Sequence, residues 1–212
     1  MNIIGISGLA RSGKDTFANL LLESTRGIKI ALADPIKRFT AELWGFSDDA
    51  LWGPSENRSK EDPRYPGLTP RKALQTIGTD ICRLLDKDVY SRCAITVAKT
   101  LLTEKCTTYT PQLGLIYDEY SYPSKVYDLV IISDARFLNE LSFIKNNGGK
   151  LIKIKRDLAG LTGKEAVHQS ESEMLEMSDD MFDFIIENNG TLKQLKSEAK
   201  RVVKLLSMPN AV

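Results

Sequence analysis

The sequence is short of the residues on which several common kinds of site depend. Its 212 residues contain one histidine, His168, and three cysteines, Cys82, Cys93 and Cys106. A single histidine excludes zinc sites that need two histidines, and the cysteines are too far apart for a CxxC metal or redox site. An odd number of cysteines also excludes a fully paired disulfide framework, so we expect reduced thiols.

Long apolar runs and an excess of charge are also missing. No run approaches the roughly 20 apolar residues that span a bilayer, so we expect no membrane partner. Lys and Arg number 29 against 28 Asp and Glu, a net charge of +1, so the chain lacks the basic excess typical of nucleic-acid binding. The first residues resemble a strand rather than a signal peptide, which predicts a cytoplasmic protein.

Short runs rich in Ile, Val and Leu recur along the chain, each followed by a polar or helical stretch. Runs of this kind are typical of strands buried on both faces of a parallel sheet. The five runs are 3–7, 28–32, 127–133, 150–155 and 182–186. We therefore predict a single α/β domain over 1–212, with a core sheet from about 1–34 and 127–212, and a helical region at about 35–126 between the second and third strands.

Capping residues indicate where three of the helices begin. Asp34-Pro35 is typical of an N-cap followed by proline in the first turn, and Gly45 would end that helix. Thr69-Pro70 repeats the signal, and Thr191 to Gln194 has the form of a capping box. We expect these residues to start helices.

Three polar stretches interrupt the pattern. Residues 46–70 and 106–126 are rich in turn-forming or polar residues, and we predict loops over the sheet edge. Residues 157–180 hold two glycines and many charges, which indicates either a mobile lid or a plain connecting loop.

The segment after the first strand carries the strongest chemical signal. Gly8 to Thr16 reads GLARSGKDT and leads into a helix, which is the context of a phosphate-binding loop. Its backbone N–H groups would surround an anion, and Lys14 would reach the β and γ phosphates. The usual Ser or Thr after the lysine is replaced by Asp15, and the hydroxyl follows at Thr16. Asp15 therefore either helps to hold Mg²⁺, through water, or turns away.

A second polar group follows the strand predicted at 127–133. Asp134 and Arg136 come at its carboxyl end, where ligands bind in open parallel sheets. Asp134 could orient Mg²⁺-bound water or the acceptor, and Arg136 could pair with a phosphate through two hydrogen bonds. The alternative is a helix-capping aspartate followed by a surface arginine.

Two further groups of polar residues are candidates for ligand contacts. Arg71, Gln75, Asp80 and Arg83 fall broadly along one side of the helix after Pro70, and they would hold a phosphate and a base edge, or else form a solvated helix face. Arg156 and His168 lie at or within the predicted lid, where Arg156 would stabilise transferring charge. His168 would contact or position a phosphate, or else be a structural or exposed histidine.

Several motifs together resemble the bacteriophage deoxynucleoside monophosphate kinases, members of the P-loop nucleoside monophosphate kinase superfamily. The motifs lie at 7–16, 31–37, 71–80, 133–140, 168–172 and 183–190. The resemblance implies a P-loop kinase fold: a five-stranded parallel sheet flanked by helices, with a helical acceptor-binding insertion and a lid. It also implies that ATP with Mg²⁺ phosphorylates a deoxynucleoside monophosphate. A phage protein in the host cytoplasm, often a homodimer, would fit this family.

The same resemblance assigns roles residue by residue. ATP would bind at Gly8, Arg11, Ser12, Gly13, Lys14, Asp15, Thr16, Asn189 and Gly190. The acceptor would bind at Lys37, Arg71, Gln75, Asp80, Arg83, Arg136 and His168. Catalysis would depend on Lys14, Asp134, Arg136 and Arg156, and Mg²⁺ on Asp15, Thr16 and Asp134, directly or through water.

Two other functions remain open at the level of the sequence. Animal phosphomevalonate kinases resemble this chain in the phosphate loop and in the acidic segment before the last strand. A P-loop ATPase or switch coupled to a protein partner belongs to a different class, and it would release ADP without an acceptor.

Overall fold

Five parallel strands form the central sheet of the protein. The structure is a computed structural model, and it describes residues 2–104, 107–117, 127–157, 173 and 177–207. The described residues form seven strands, of which β3 and β4 make a separate hairpin. They are β1 (Asn2–Ser7), β2 (Gly27–Ile30), β3 (Thr107–Thr110), β4 (Gly114–Tyr117), β5 (Leu129–Ile132), β6 (Lys150–Lys155) and β7 (Phe184–Glu187). The main sheet has the order β2-β5-β1-β6-β7, with β1 hydrogen-bonded to β5 and β6. This confirms the predicted five-stranded parallel sheet.

Helices cover both faces of the sheet and extend beyond one edge. They are α1 (Lys14–Leu22), α2 (Asp34–Trp44), α3 (Asp48–Trp52), α4 (Pro70–Gln75), α5 (Arg83–Leu85), α6 (Val89–Thr103), α7 (Leu138–Asn146) and α8 (Leu192–Ser207). A π-helix, Thr76–Cys82, joins α4 to α5, and a 3₁₀ turn spans Ser55–Ser59. In the described part of the chain, no helix is both long and apolar enough to cross a bilayer.

The strands are continuous apolar runs because both of their faces are buried. One face packs with α6 and α7 around residues such as Ala98 and Leu141, and the other packs with α1 and α8 around Phe17 and Val202. A smaller third core lies among α2, α3 and α4, centred on Leu51. The sheet therefore presents all of its carboxyl ends at one edge, where the loops of the candidate site begin.

The region between β2 and β5 corrects two of the sequence predictions. Residues 46–70 are not simply a loop, because they include α3 and the 3₁₀ turn. Residues 107–117 form an antiparallel hairpin of β3 and β4 with Gly114 at φ +79°, so the segment predicted as helical over 35–126 also contains a small sheet. Most of the predicted lid, at 158–172 and 174–176, and Cys106 lie outside the described residues; Cys82 and Cys93 are free thiols.

The helix starts follow the predicted capping signals with one exception. Thr69 Oγ1 accepts from Lys72 N at 3.1 Å, and Thr191 and Gln194 bond each other's backbone N–H groups. Asp34, in contrast, is not an N-cap but the first residue of α2. Its buried carboxylate instead accepts hydrogen bonds from the groups around it, which are Ala31 N, Trp52 Nε1 and Tyr109 Oη.

Candidate active site

The loop after β1 folds into a tight turn that closes on the start of α1. Gly13 has φ +93°, in the left-handed region that favours glycine, and α1 begins at Lys14. A Cβ on Gly13 would lie 2.3 Å from Nδ2 of Asn188, which donates a 2.8 Å hydrogen bond to the Ser12 carbonyl. A Cβ on Gly8 would lie 2.6 Å from Ser12 Oγ. Close packing therefore requires glycine at both positions.

The polar groups of this loop suit an anion. The first N–H groups of α1 have no partner within the helix, and the helix dipole favours negative charge there. Ser12 Oγ is buried and has no hydrogen-bond partner within the described structure. Lys14 is 9% exposed and lines the adjoining cavity. The loop can thus surround a phosphate with donors.

The side chains that follow Lys14 differ in their position. Asp15 is exposed, lines the cavity and lies 3.6 Å from Lys29 Nζ. Thr16 is exposed and is not among the residues that line the cavity, as is also true of Arg11. Asp15 is therefore better placed than Thr16 to meet an ion bound to phosphates in the cavity.

Asp134 joins the ends of two neighbouring strands. Its carboxylate accepts hydrogen bonds from Leu32 N at 2.6 Å and from Ala33 N at 3.1 Å. Burial raises the pKa of Asp134 to about 6, and the carboxylates of Glu140 and Asp34 act in the same direction, while the two backbone N–H groups oppose them. Asp134 lines the cavity between the phosphate loop and the helical region.

A magnesium ion fits the oxygen donors of Asp15 and Asp134. Among the described residues no group of three or more His, Cys, Asp or Glu could hold a metal ion alone. Magnesium, however, usually keeps several waters and is bound by one or two carboxylates together with substrate phosphates. The pair therefore suits an ion that arrives with a nucleotide.

A cavity of about 750 Å³ runs from the phosphate loop to the helical region. Within the described chain, six cationic residues line it: Lys14, Lys37, Arg58, Arg71, Arg83 and Arg136. Gln75 and Thr79 add neutral polar groups, and Ile36, Leu74, Tyr90 and Phe137 add apolar or aromatic surface. Pockets that combine apolar walls with a few polar groups are typical of small-molecule sites.

The cations of this cavity repel one another. Burial lowers the pKa of Lys37 from its ordinary value, and Arg58 lowers it further. Burial also lowers the pKa of Arg58, with additional contributions from Arg71 and Arg136. Because burial and neighbouring cations destabilise the charged forms of Lys37 and Arg58, an anionic ligand bound in this cavity would stabilise those charged forms.

Arg58 is the residue of this cluster that the sequence analysis missed. It lies in the 3₁₀ turn, within a stretch predicted as loop, and its Nη1 donates to the Leu51 carbonyl. Arg71 fixes the same turn, since it donates to Ser59 Oγ at 2.9 Å and to the Ser55 carbonyl at 3.2 Å. Only packing of this turn against α4 places Arg58 in the cavity, and no local pattern in the sequence indicates it.

Asp80 is the predicted acceptor residue that the structure places apart. It is exposed and does not line the cavity, whereas Thr79 does. Thr79 and Asp80 both lie in the π-helix Thr76–Cys82, so α-helical spacing does not decide which of them faces the cavity. The residues of this segment that line the cavity are Arg71, Gln75, Thr79 and Arg83. The cavity therefore brings together Arg71, Gln75 and Arg83 of the predicted group and leaves Asp80 outside.

The remaining predicted contacts are also outside the cavity or outside the described residues. Asn189 and Gly190 are exposed after β7, and Asn189 Oδ1 accepts from Asp157 N, so Asn188 is the residue of that turn that reaches the phosphate loop. Arg156 is exposed at the end of β6 and does not line the cavity. His168 lies outside the described residues.

Comparison with known proteins identifies the family of this chain. The family model "Deoxynucleotide monophosphate kinase" matches residues 2–62. A protein of Acanthamoeba polyphaga mimivirus, named "Putative deoxynucleotide monophosphate kinase", is 33% identical over 210 residues, covering 99% of this chain and 100% of that protein. The chain belongs to the deoxynucleotide monophosphate kinase family. It is thus a nucleotide kinase.

Two further similarities are weaker, one because it covers only a short stretch and the other because its sequence identity is low. The deoxynucleotide monophosphate kinase of Enterobacteria phage T4 is 44% identical over 45 residues, covering 21% of this chain and 19% of the phage enzyme. A crystal structure of TT1252 from Thermus thermophilus covers 98% of both chains at 17% identity, with a TM-score of 0.48. The assignment of this kinase to its family rests on the viral relative.

Proposed function

We propose that the protein transfers the γ-phosphoryl group of ATP to the phosphate of a deoxynucleoside monophosphate. The observation that carries this proposal is that Lys14 of the phosphate loop and five further cationic residues line one cavity within the described chain. Two phosphorylated ligands bound there would interact favourably with Lys37 and Arg58, whose pKa values are lowered mainly by burial and further by neighbouring cations. Residues 35–126 would supply the acceptor side, and the sheet would supply the ATP side, within one domain.

At the ATP end, the loop would hold the β and γ phosphates. The backbone N–H groups, the Ser12 hydroxyl and the Lys14 ammonium would donate to phosphate oxygens. Asp15 and Asp134 would hold Mg²⁺, which neutralises charge on the phosphates when it is bound. No described side chain needs to act as a nucleophile.

At the acceptor end, Arg58, Arg71 and Lys37 would bind the monophosphate. Gln75 and Thr79 would reach the polar edge of the base. An acceptor phosphate oxygen forms the new bond to the γ-phosphorus while the bond to the bridging oxygen of ADP breaks. Because this oxygen is already anionic, the reaction depends on positioning and charge stabilisation, for which the planar fork of Arg136 is suited.

The proposal is tested by ADP release from Mg-ATP with a panel of acceptors. The panel contains deoxynucleoside and ribonucleoside monophosphates, mevalonate 5-phosphate and a blank without acceptor. We expect release that depends on one or more deoxynucleotides. Release only with mevalonate 5-phosphate would favour a phosphomevalonate kinase, and equal release in the blank would favour an ATPase.

A pair of arginine variants tests the acceptor end separately. Arg58→Met should raise the KM for the acceptor and leave the KM for ATP little changed, because Arg58 lies on the acceptor side of the cavity. Arg64→Met is the matched control, since Arg64 is exposed and pairs with Asp62 outside the cavity. Equal effects of the two variants would refute a role for Arg58 in acceptor binding.

A further inference from the structure

An ion pair between a buried glutamate and a partly buried arginine lies where the helical region meets the loop after β5. The side chains of Glu140 and Arg83 are 3% and 17% exposed, and Arg83 Nη2 donates to Glu140 Oε1. The other carboxylate oxygen, Oε2, accepts from the backbone N–H of Arg136 at 2.7 Å and of Phe137 at 3.0 Å. One carboxylate therefore contacts both the helix with Arg83 and the backbone of Arg136.

The guanidinium of Arg83 is held by aromatic rings as well. It lies 4.2 Å from the ring centroid of Phe137 and 5.5 Å from that of Tyr90. The Tyr90 hydroxyl in turn donates to the Gly78 carbonyl at 3.2 Å, within the π-helix. Arg83 is thus fixed on three sides, and its charge is balanced by the carboxylate of Glu140.

Such a pair is not explained by stability. Desolvation of two buried charges costs about as much as their attraction returns, and apolar side chains of similar volume often serve equally well. The backbone N–H groups of Arg136 and Phe137, just before α7, are satisfied by a single oxygen of Glu140, and this does not require Arg83. The addition of Arg83 requires another reason.

We propose that Glu140 is a positioning residue, which with Arg83 fixes the backbone of Arg136 relative to the helix that carries Gln75 and Thr79. This inference rests on the proposed function, because it assigns the purpose of the pair to placing Arg136 between the two nucleotides. One carboxylate oxygen of Glu140 is bonded to Arg83, next to the helical segment with Gln75 and Thr79. The other oxygen is bonded to the backbone N–H of Arg136 and so fixes the position of that loop. A small displacement of a positioned group is sufficient to lower a transfer rate by about a hundredfold.

The kinetic test uses the variants Glu140→Gln and Arg83→Met, alone and combined. Glu140→Gln leaves Arg83 buried without its charge partner, and we expect kcat to fall at least about tenfold, with the KM for ATP within about twofold of wild type. The double variant should recover part of that loss, because it removes the unpaired charge. Adding Glu140→Gln to Arg136→Met should cost little more, since Glu140 acts through Arg136.

A matched control makes the same carboxyl-to-amide change in an ion pair far from the cavity. Asp128→Asn breaks the Arg26–Asp128 pair at 2.8 Å, at the amino-terminal edge of the sheet, and should leave kcat unchanged. A Glu140→Gln enzyme with wild-type kcat and a lowered melting temperature would overturn the proposal in favour of a purely structural role. Full additivity with Arg136→Met would overturn it as well.

A second readout does not depend on catalysis. We expect amide hydrogen exchange at Arg136 and Phe137 to become at least about tenfold faster in Glu140→Gln and also faster in Arg83→Met, relative to Asp128→Asn. Unchanged exchange in Arg83→Met would overturn the proposal whether or not the wild-type protein is active. If the wild-type protein is inactive with every acceptor and the two variants still show faster exchange, the proposed function is refuted while the positioning of Arg136 is supported.

Discussion

The close approach of Gly13 to Asn188 allows the cost of Gly13→Ala to be separated into a backbone part and a steric part. Gly13→Ala places a Cβ in a backbone with φ +93° and at 2.3 Å from Asn188 Nδ2. The next atom from this Cβ is also in Asn188, Cγ at 3.5 Å. The substitution therefore strains the backbone and displaces the side chain that bonds the Ser12 carbonyl.

These two costs have different sizes and different causes. The left-handed conformation costs an alanine about 1–2 kcal/mol, and loss of the hydrogen bond from Asn188 to Ser12 costs about 1 kcal/mol. We expect Gly13→Ala to lower the free energy of unfolding by about 2–3 kcal/mol in the wild type. In an Asn188→Ala background the atoms that collide are gone, so about 1–2 kcal/mol should remain.

Equilibrium urea unfolding of the two single variants and the double variant measures this coupling. Gly148→Ala is the control, because Gly148 has φ +80° and a Cβ added there would meet nothing within 4 Å, so it should show only the backbone cost in either background. Each loop variant should also raise the KM for ATP. Penalties of Gly13→Ala and Asn188→Ala that add within about 0.3 kcal/mol would refute the steric reasoning.

Three further outcomes follow from the site. Lys14→Ala should lower transfer by at least about a hundredfold with the melting temperature retained, because its charge acts on the transferring phosphoryl group; unchanged turnover in the ADP-release assay would exclude the phosphate-loop assignment. Arg136→Lys should lower kcat although the charge is kept, since the planar fork is lost, and wild-type turnover would place Arg136 outside the site. In the ligand-free protein, Arg58→Met should raise the pKa of Lys37 toward its ordinary value, because it removes a neighbouring positive charge. NMR titration of the Lys37 ε carbon measures this change, and an unmoved titration would contradict the electrostatic assignment. In the wild type, acceptor affinity should be lost at a lower alkaline pH than an ordinary lysine would give.

Local signals in the sequence were sufficient for the sheet and for several helix starts. The apolar runs predicted all five strands of the main sheet because strands buried on both faces must be apolar throughout. Thr69 and Thr191 predicted helix starts because a side-chain cap depends only on the next few residues. Predictions of this kind require no knowledge of what packs against the segment.

Elements that depend on distant packing could not be predicted in this way. The hairpin at 107–117 falls in a stretch that the sequence predicts as loop, because each of its strands has only four residues, too few for a clear pattern. In the structure, Thr107 and Tyr109 are buried and their neighbours are less so. Leu51 is fully buried only because α3 packs in the small core with α4. Arg58 enters the cavity through that same packing, whereas Asp80 was assigned from spacing alone and lies outside.

The π-helix at Thr76–Cys82 determines how this region tolerates changes in length. Its hydrogen bonds enclose one more residue than those of an α-helix, so deletion of a single residue would let the segment continue as α-helix without a break. The residues after the deletion would then keep nearly the same orientation about the helix axis, because the wider turn had accommodated the extra residue, and Arg83 would still face Glu140. Relatives of this chain that are one residue shorter here should therefore still carry an arginine at the position of Arg83 and a glutamate at that of Glu140.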